Sequence, residues 1–208
     1  METMQENKWL TVAGEGERLN LIELEGALLL EILEGVSSHA SKDKSLPTLN
    51  AVEVEGGGGA FIARATDRYR LIEGQARDLS GSLDKALISL EDIKRIITLA
   101  KAHKSNLVSI TRLGNAVTIS SLGDSLNLML IDGTFPPTAD LFNKSEGEPS
   151  PITGVAFNPA LMADYAKIAG KGAAIKLYFT GEGKPMRVRI TGDKIIWRAL
   201  LMPMRYTD

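Results

Sequence analysis

Cysteine is absent from this chain, which excludes disulfide bridges, thiolate metal sites and a cysteine nucleophile. Long apolar runs are absent too, since no stretch approaches the roughly 18 residues that a membrane span needs. The chain starts with a polar, acidic segment, Met1 to Lys8, which resembles neither a secretory signal nor a transit peptide. We therefore expect a cytoplasmic protein with no membrane partner.

Neither sign of charge is in clear excess. The chain has 24 Lys and Arg against 26 Asp and Glu, for a net charge of −2. This balance argues against a protein that holds DNA on a broad basic surface. It leaves open a protein that surrounds DNA, because only the lining of a channel must then be positive.

Residues suited to catalysis are also scarce. The two histidines, His39 and His103, lie near the ends of different predicted helices, without metal-site spacing, and are expected at the surface. The run Gly56 to Gly59 lacks the Lys-Ser/Thr of a phosphate loop and joins two predicted strands, so it indicates a hairpin turn. Asp67 and Asp132 are candidates for a hydrolytic carboxylate pair, but both occupy turn positions that aspartate favours. We predict no catalytic residue, no metal site and no cofactor, and hence no enzyme.

What the chain does contain is a repeated pattern of one helix followed by three strands. Apolar residues at helical spacing predict a first helix from Glu25 to Ser38, whose last turns Gly35 should weaken. The second begins at the N-cap Ser89, with Asp92 in the place of a capping-box residue. The third begins at Asn158, with proline in its first turn and Gly170 at its end.

Alternating segments separated by glycine-containing turns follow each helix and predict hairpins. They are Leu49 to Glu55, Ala60 to Ala65 and Tyr69 to Glu73; Leu107 to Thr111, Ala116 to Ser120 and Leu126 to Ile131; and Ile175 to Thr180, Met186 to Ile190 and Ile195 to Met202. A short strand is also expected before the second and third helices, at Ala86 to Ser89 and Gly154 to Phe157. The pattern predicts an α+β fold with helices on one face of antiparallel sheets.

Two polar stretches are candidate linkers, Asp78 to Ser82 and Asn143 to Pro151. The second is rich in polar residues and proline and is the better candidate for a domain boundary. We predict a domain of two repeat units over residues 1–145 and a half domain of one unit over residues 146–208.

Four short strings in this pattern resemble the bacterial DNA sliding clamp, the β subunit of DNA polymerase III. They are Ala-Thr-Asp-Arg-Tyr-Arg-Leu at Ala65 to Leu71, Asp-Gly-Thr-Phe-Pro at Asp132 to Pro136, Met-Pro-Met-Arg at Met202 to Arg205, and Pro47-x-Leu49. Each string is weak alone, but the four stand in the family's order. The resemblance runs from Leu21 to Tyr206 and implies the DNA-clamp fold, with the family's middle domain and the second half of its last domain. Such a shortened form points to a phage-encoded member.

The resemblance implies a processivity factor that encircles duplex DNA without reading its sequence and tethers a polymerase, raising its effective concentration at the primer end. The implied partners are duplex DNA, a DNA polymerase, other proteins with clamp-binding peptides, and a clamp loader. Family rings contain about twelve such units, so three units per chain predict a homo-tetramer, in keeping with the closed symmetry of most homo-oligomers.

The resemblance also implies a hydrophobic pocket for partner peptides. Carried over to this sequence, it comprises Leu49, Thr66, Arg68, Tyr69, Arg70, Leu71, Pro136, Leu141, Leu200, Met202, Pro203, Met204 and Arg205. Adaptable methionines suit such a pocket, and Arg70 and Arg205 are expected at its polar rim. The pair Arg68-Tyr69 replaces the family's small Gly-His, which would narrow the pocket or change its preferred peptide.

Channel-lining helices should carry positive charge opposite their buried stripes. The candidates are Lys94, Arg95, Lys101, Lys104, Lys167 and Lys171. An ordinary solvated helix face explains these residues equally well. The first helix region is acidic instead, with Glu23, Glu25, Glu31 and Glu34. This favours an alternative of another class, a clamp-like peptide-binding adaptor or decoy that does not encircle DNA.

Overall fold

A computed structural model describes residues 20–147, 154–170, 173–181 and 183–205 of the chain. The helices are α1 (Gly26–Ser37), α2 (Leu90–Ala102), α3 (Thr138–Ser145) and α4 (Pro159–Ala169). The strands are β1 (Leu21–Glu25), β2 (Ala51–Gly57), β3 (Ala60–Thr66), β4 (Arg70–Arg77), β5 (Gly81–Ser89), β6 (Leu107–Leu113), β7 (Ala116–Ser121), β8 (Asp124–Met129), β9 (Ile175–Tyr178), β10 (Met186–Thr191) and β11 (Ile195–Leu201).

The predicted caps fix where the helices begin and end. The side chain of Ser89 accepts a hydrogen bond from the backbone of Asp92, and that of Asn158 from the backbone of Ala160. Gly170 ends α4 with a positive φ of 72°, a conformation that glycine adopts without strain. The helix boundaries expected from the sequence are therefore confirmed to within a few residues.

The strands form one antiparallel sheet in the order β8-β7-β6-β1-β5-β2-β3-β4-β11-β10-β9. The first unit, β1-α1-β2-β3-β4, and the second, β5-α2-β6-β7-β8, exchange their first strands: β1 pairs with β6, and β5 pairs with β2. The third unit, α4-β9-β10-β11, joins them through the pairing of β11 with β4. Three repeat units thus share one continuous sheet.

Helices α1, α2 and α4 cover one face of this sheet. Apolar side chains of α1 and α2 meet Phe61, Ile72 and Trp197 of the strands in one large core, and Tyr165 of α4 extends that core. We call this the helical face. The prediction of helices on one face of antiparallel strands is confirmed.

Shorter structure covers the opposite face, here called the outer face. The segment that follows β8 places Phe135 against Ala51 and Leu87. Further along, α3 places Phe142 against Leu71 and Leu200. The sequence analysis missed α3 because its eight residues carry few apolar side chains.

Several boundaries differ from those predicted. The turn between β2 and β3 is only Gly58-Gly59, both with positive φ, and the two glycines before it belong to β2. The proposed linker at Asn143 begins inside α3, and residues 148–153 lie outside the described residues. The expected strand at Gly154 to Phe157 is reduced to one bridge between Ala156 and Met204.

Within the described residues, no helix combines the length and the apolar character needed to cross a membrane. In that same part of the chain, the acidic, histidine and cysteine side chains form no cluster of three or more that could hold a metal ion.

Candidate peptide-binding surface and helical face

Two of the four strings that carry the family resemblance, Ala65 to Leu71 and Met202 to Arg205, meet at one end of strands β4 and β11. The turn before β4 is held by Asp67, whose carboxylate accepts hydrogen bonds from the backbone of Tyr69 and Arg70, both at 3.0 Å. The hydroxyl of Thr66 donates to the carbonyl of Arg70 at 2.7 Å. Asp67 thus serves the turn, as its residue type predicted.

Arg68 occupies the left-handed region of this turn, with φ of 80°. Glycine adopts that conformation freely, whereas a side chain makes it strained. Arg68 stands where the family resemblance leads us to expect glycine, the residue that adopts this conformation without strain. The side chains of Arg68 and Tyr69 are both exposed to solvent, and Tyr69 is 63% exposed.

The chain after β11 runs alongside this turn. The backbone N–H of Met202 donates to the carbonyl of Tyr69 at 2.9 Å, and that of Met204 to the carbonyl of Ala156 at 2.8 Å. These bonds fix the backbone while the two methionine side chains stay 42% and 52% exposed. Arg205 is exposed as well.

Leu71 and Leu200 lie opposite each other on β4 and β11 and form the apolar base of this region. Both are buried beneath Phe142 of α3, while the neighbouring Leu141 is exposed. We name the exposed side chains of Tyr69, Leu141, Met202 and Met204 the apolar patch. Such a patch of adaptable side chains on a fixed backbone suits the binding of an apolar peptide.

Three of the remaining predicted pocket residues are less exposed than the side chains of the apolar patch. Leu49 and Pro203 are half-buried, and so is Pro136. Phe135, next to Pro136, packs in a separate cluster with Ala51 and Leu87.

Arg70 does not lie at a polar rim, contrary to expectation. Its guanidinium is buried and donates to Asp67 at 3.0 Å, to Asp164 of α4 at 2.6 Å and to the carbonyl of Ser38 at 2.6 Å. The resulting bridge ties the turn to α1 and α4. Burial alone would raise the pKa of Asp164, but hydrogen bonds from Lys167 and Arg70 outweigh it and hold that pKa below its ordinary value.

His39 lies beside this bridge and is fully buried, so its expected surface position is wrong. Its ring faces that of Tyr165, with centroids 5.4 Å apart. Burial, and then the nearby charge of Arg70, lower the pKa of His39 from 6.5 to about 3. Burial likewise raises the pKa of Tyr165. The histidine is therefore neutral and structural at ordinary pH.

A buried ion network on the outer face escaped the sequence analysis. Arg64 contacts Glu53 at 3.0 Å, Glu55 at 2.5 Å and Glu73 at 2.6 Å, and Glu73 also accepts from Arg198 at 2.6 Å. Burial would raise the pKa of Glu73, but hydrogen bonds from Arg198 and Arg64 outweigh it and lower that pKa. The network joins four strands and adjoins the cluster of Leu71, Leu200 and Phe142, since the Arg198 guanidinium lies 4.1 Å from the centre of the Phe142 ring. The sequence showed only alternating charges on separate strands, with no sign that they converge.

The predicted basic residues of α2, Lys94, Arg95 and Lys101, lie on the helical face and are exposed, and so is Lys104, which follows the helix. Lys94 and Lys104 form no ion pair within the described residues, whereas Arg95 pairs with Asp92 at 2.8 Å. Lys101 lies 3.9 Å from Glu34 of α1.

On α4, Lys167 is exposed and pairs with Asp164 at 2.8 Å, and the predicted Lys171 lies outside the described residues. Glu31 and Glu34 of α1 are exposed on the same face, while Glu23 and Glu25 belong to β1. The described helical face is therefore mixed in charge, so it would hold a phosphate backbone only weakly.

Comparison with known proteins identifies the fold. No family model matches the chain. A β sliding clamp of Micrococcus luteus is 30% identical over 176 residues, which cover 82% of this chain and 55% of that protein. The chain thus spans about half the length of this curated relative.

Solved structures agree. The DNA polymerase III β subunit of Thermotoga maritima superposes with a TM-score of 0.77 at 18% identity, covering 96% of this chain and 69% of its own. A sliding clamp of Pseudomonas aeruginosa bound to griselimycin has a TM-score of 0.74 at 14% identity, covering 93% and 68%. The fold is the sliding-clamp fold, and the resemblance read from the sequence is confirmed.

Proposed function

We propose that this chain, which resembles the bacterial β sliding clamps in sequence and shares their fold, is a processivity factor for a DNA polymerase. The observation that carries the proposal is the single sheet, with α1, α2 and α4 on one face. The apolar patch lies beside the outer-face cluster of Leu71, Leu200 and Phe142. One face is thus available to DNA while a polymerase is held elsewhere.

The DNA would be held by enclosure. A ring of repeat units with the helices inside keeps the duplex threaded even where each phosphate contact is weak and screened. The mixed charge of the helical face fits this role, because a strongly basic lining would slow sliding. The duplex is held without sequence recognition, and the protein performs no chemistry itself.

The ring would form from several copies of the chain, and a clamp loader would open it on DNA in the cytoplasm. Four copies would supply about twelve repeat units, the number in the family's rings. Light scattering at low and moderate salt measures the mass of the assembly that the 208-residue chain forms in solution, and so tests the number of copies. A concentration-independent monomer, with or without DNA, would rule out the ring.

Primer extension tests the function itself. DNA polymerase III of Micrococcus luteus copies a primed single-stranded circle with and without this chain, in the presence of the clamp loader of that species. A processivity factor should lengthen the products on circles and have little effect on short linear templates, from which a ring slides off. Equal product lengths with and without the chain would contradict the proposal.

The apolar patch is the proposed partner-peptide pocket. Griselimycin, which the Pseudomonas aeruginosa clamp binds, is a defined probe for calorimetry. We expect the chain to bind it, and Met202→Gln with Met204→Gln to weaken binding at least tenfold. Met129→Gln is the matched control, because Met129 is also an exposed methionine, 67% against 42% and 52%, but lies on β8. Equal loss in the control, or no loss in the double variant, would place the pocket elsewhere.

A clamp-like adaptor or decoy is the second candidate, favoured by Glu31 and Glu34 on the helical face. A decoy would occupy the clamp-binding peptide of a polymerase without tethering it to DNA. In the same primer-extension assay, now containing the Micrococcus luteus clamp, a decoy would shorten the products. A processivity factor would not shorten them.

A further inference from the structure

Among the described residues, the third repeat unit has no partner unit of the kind that the first two units supply to each other. Helix α3 ends at Ser145 and α4 begins at Pro159, so the connection between them is too short to contain another unit. The outer edge of β9 is the end of the described sheet. Only Tyr165 of α4 is fully buried, whereas α1 and α2 bury continuous stripes against each other.

The first two units show how such a gap is filled. In each of these two units, the residue just before the N-cap of the helix points toward the helical face. It pairs with an apolar residue on the strand that follows the helix of the other unit, β6 or β2. Leu24 pairs with Val108, and Ile88 pairs with Val52. Two positions earlier, Ile22 pairs with Ile110 in the same way.

In the second unit, both edges of the strand before the helix, β5, are hydrogen-bonded. The N–H of Ile131, beyond the end of its own unit, donates to the carbonyl of Leu87 at 2.8 Å. The opposite edge of Leu87 pairs with Glu53 of the other unit. In the third unit Met204 donates to Ala156 at 2.8 Å in the equivalent position. The opposite edge of Ala156 has no strand partner among the described residues.

The space beside this open edge is apolar. Val155, Phe157, Met162, Leu177 and Phe179 line a groove of about 470 Å³. Leu177 remains 40% exposed there, although it points toward the helical face opposite Val188. An apolar strand edge left open in this way would favour association with another strand.

We propose that the third unit of a second copy of this chain fills the gap, so that two copies together complete one domain through a two-fold interface. Each copy gives the segment 154–157 and receives that of its partner along β9. Matching the inward-facing residues sets the register: Phe157 lies opposite Ile175 of the other copy, and Val155 opposite Leu177. On the outer face Ala156 then lies opposite Lys176.

A second copy fits because the surface is self-complementary. The open strand edge and the strand that would fill it belong to the same unit, so a two-fold axis satisfies both at once. Pairing at β9 leaves β8 as the free edge of the described sheet in each copy. Joining those edges would close four copies into a ring, but the β9 interface needs neither that step nor DNA.

Cysteine cross-linking tests the register, since the natural chain has no cysteine. The double variant Ala156→Cys with Lys176→Cys should form covalent dimers on mild oxidation, because a disulfide requires Cα atoms within about 7 Å. Either single variant, and Ala156→Cys with Tyr178→Cys, should give far less dimer. Failure of the first pair, or equal dimer from all variants, would overturn the proposed register.

Sedimentation of the 208-residue chain provides the second measurement. Leu177→Glu places a charge in the proposed interface at a site that is partly exposed in the single copy, so the protomer should still fold. We expect it to halve the mass or reduce it to a monomer, while Leu113→Glu, at an exposed site on β6, leaves the mass unchanged. An unchanged mass in Leu177→Glu, or a head-to-tail ring joining β8 to β9, would refute the interface. The measurement requires no polymerase, so the proposed β9 interface can be refuted while the proposed role as a processivity factor stands.

Discussion

At the scale of single residues, the turn before β4 holds an arginine in a backbone conformation that favours glycine. Asp67 holds the turn through two backbone hydrogen bonds, while Arg68 adopts a positive φ that favours glycine. The side chain of Arg68 is exposed. The local strain is therefore tolerated because the bonds around it hold the backbone in place.

Replacing Arg68 with glycine should relieve this strain. We expect Arg68→Gly to raise the free energy of unfolding by up to about 1 kcal/mol, the left-handed penalty less the extra chain entropy of glycine. Arg68→Ala keeps the strain and serves as the control, with little change expected. Urea denaturation measures both, and a gain in the alanine variant equal to that in the glycine variant would contradict the explanation.

The burial of His39 predicts that the free energy of unfolding decreases as the pH falls below about 6.5. Its pKa is near 3 in the folded chain and about 6.5 when exposed, so the folded state disfavours its protonation. Its contribution to stability is complete above about pH 6.5 and is lost as the pH falls toward 3. The loss should approach about 2 kcal/mol between pH 6.5 and 5, at roughly 1.4 kcal/mol per pH unit.

Comparison of the wild type with His39→Gln isolates this effect. The window above pH 5 lies above the ordinary pKa values of the carboxylates, so Glu73 and Asp164 contribute little within it. Denaturation curves at each pH should show the decline in the wild type and a flatter profile in the variant. Parallel profiles would show that His39 is not the titrating group.

At the scale of elements, α1 depends on a contact that its own sequence does not reveal. Gly35 was expected only to weaken the last turns of the helix. In the structure the ring of Trp197 from β11 packs directly on Gly35, and a methyl group there would overlap the ring. Gly74 of β4 lies under the same ring, where an added Cβ would come within 2.6 Å of it. The two glycines make room for the tryptophan that joins the first and third units.

Gly35→Ala should therefore destabilise the chain although alanine is the better helix former. We expect a net loss of about 1–3 kcal/mol, the usual cost of overpacking a core. The same substitution in a Trp197→Leu background should be neutral or stabilising by up to about 1 kcal/mol, because the helix propensity then dominates. Thermal unfolding of the four proteins measures the coupling, and additive effects would contradict the contact.

At the scale of the whole molecule, charge on the helical face decides how firmly DNA would be held. Arg95 and Lys101 have acidic neighbours, whereas Lys94 and Lys104 have no ion pair within the described residues. The two unpaired lysines are the ones expected to reach phosphates.

Lys94→Gln with Lys104→Gln should weaken DNA retention and reduce the salt dependence of log K by roughly 2, close to one for each phosphate that a lysine no longer neutralises. The matched control is Lys85→Gln with Arg189→Gln, which removes two charges from the outer face and should have little effect. Dissociation from nicked circular DNA at several salt concentrations measures both. Equal slopes for the two variants would show that α2 does not face DNA.

The sequence by itself determined the repeat, the helix caps and the strand order within each unit. These features depend on local patterns: Ser89 and Asn158 cap helices through neighbouring backbone atoms, and alternation identifies strands that have one buried face. It also carried the four motifs that identified the fold.

Only the tertiary structure decided the exchange of first strands, the burial of His39 and Arg70, and the network around Arg64. Each depends on residues far apart in the chain, as when Arg70 meets Asp164 or β1 pairs with β6. Local sequence patterns cannot reveal such long-range contacts, because a charged residue or a histidine has the same sequence neighbours whether its side chain is exposed to solvent or buried in the core. The open edge of β9 belongs to the same class, since an unpaired strand is recognised only once the rest of the sheet is in place.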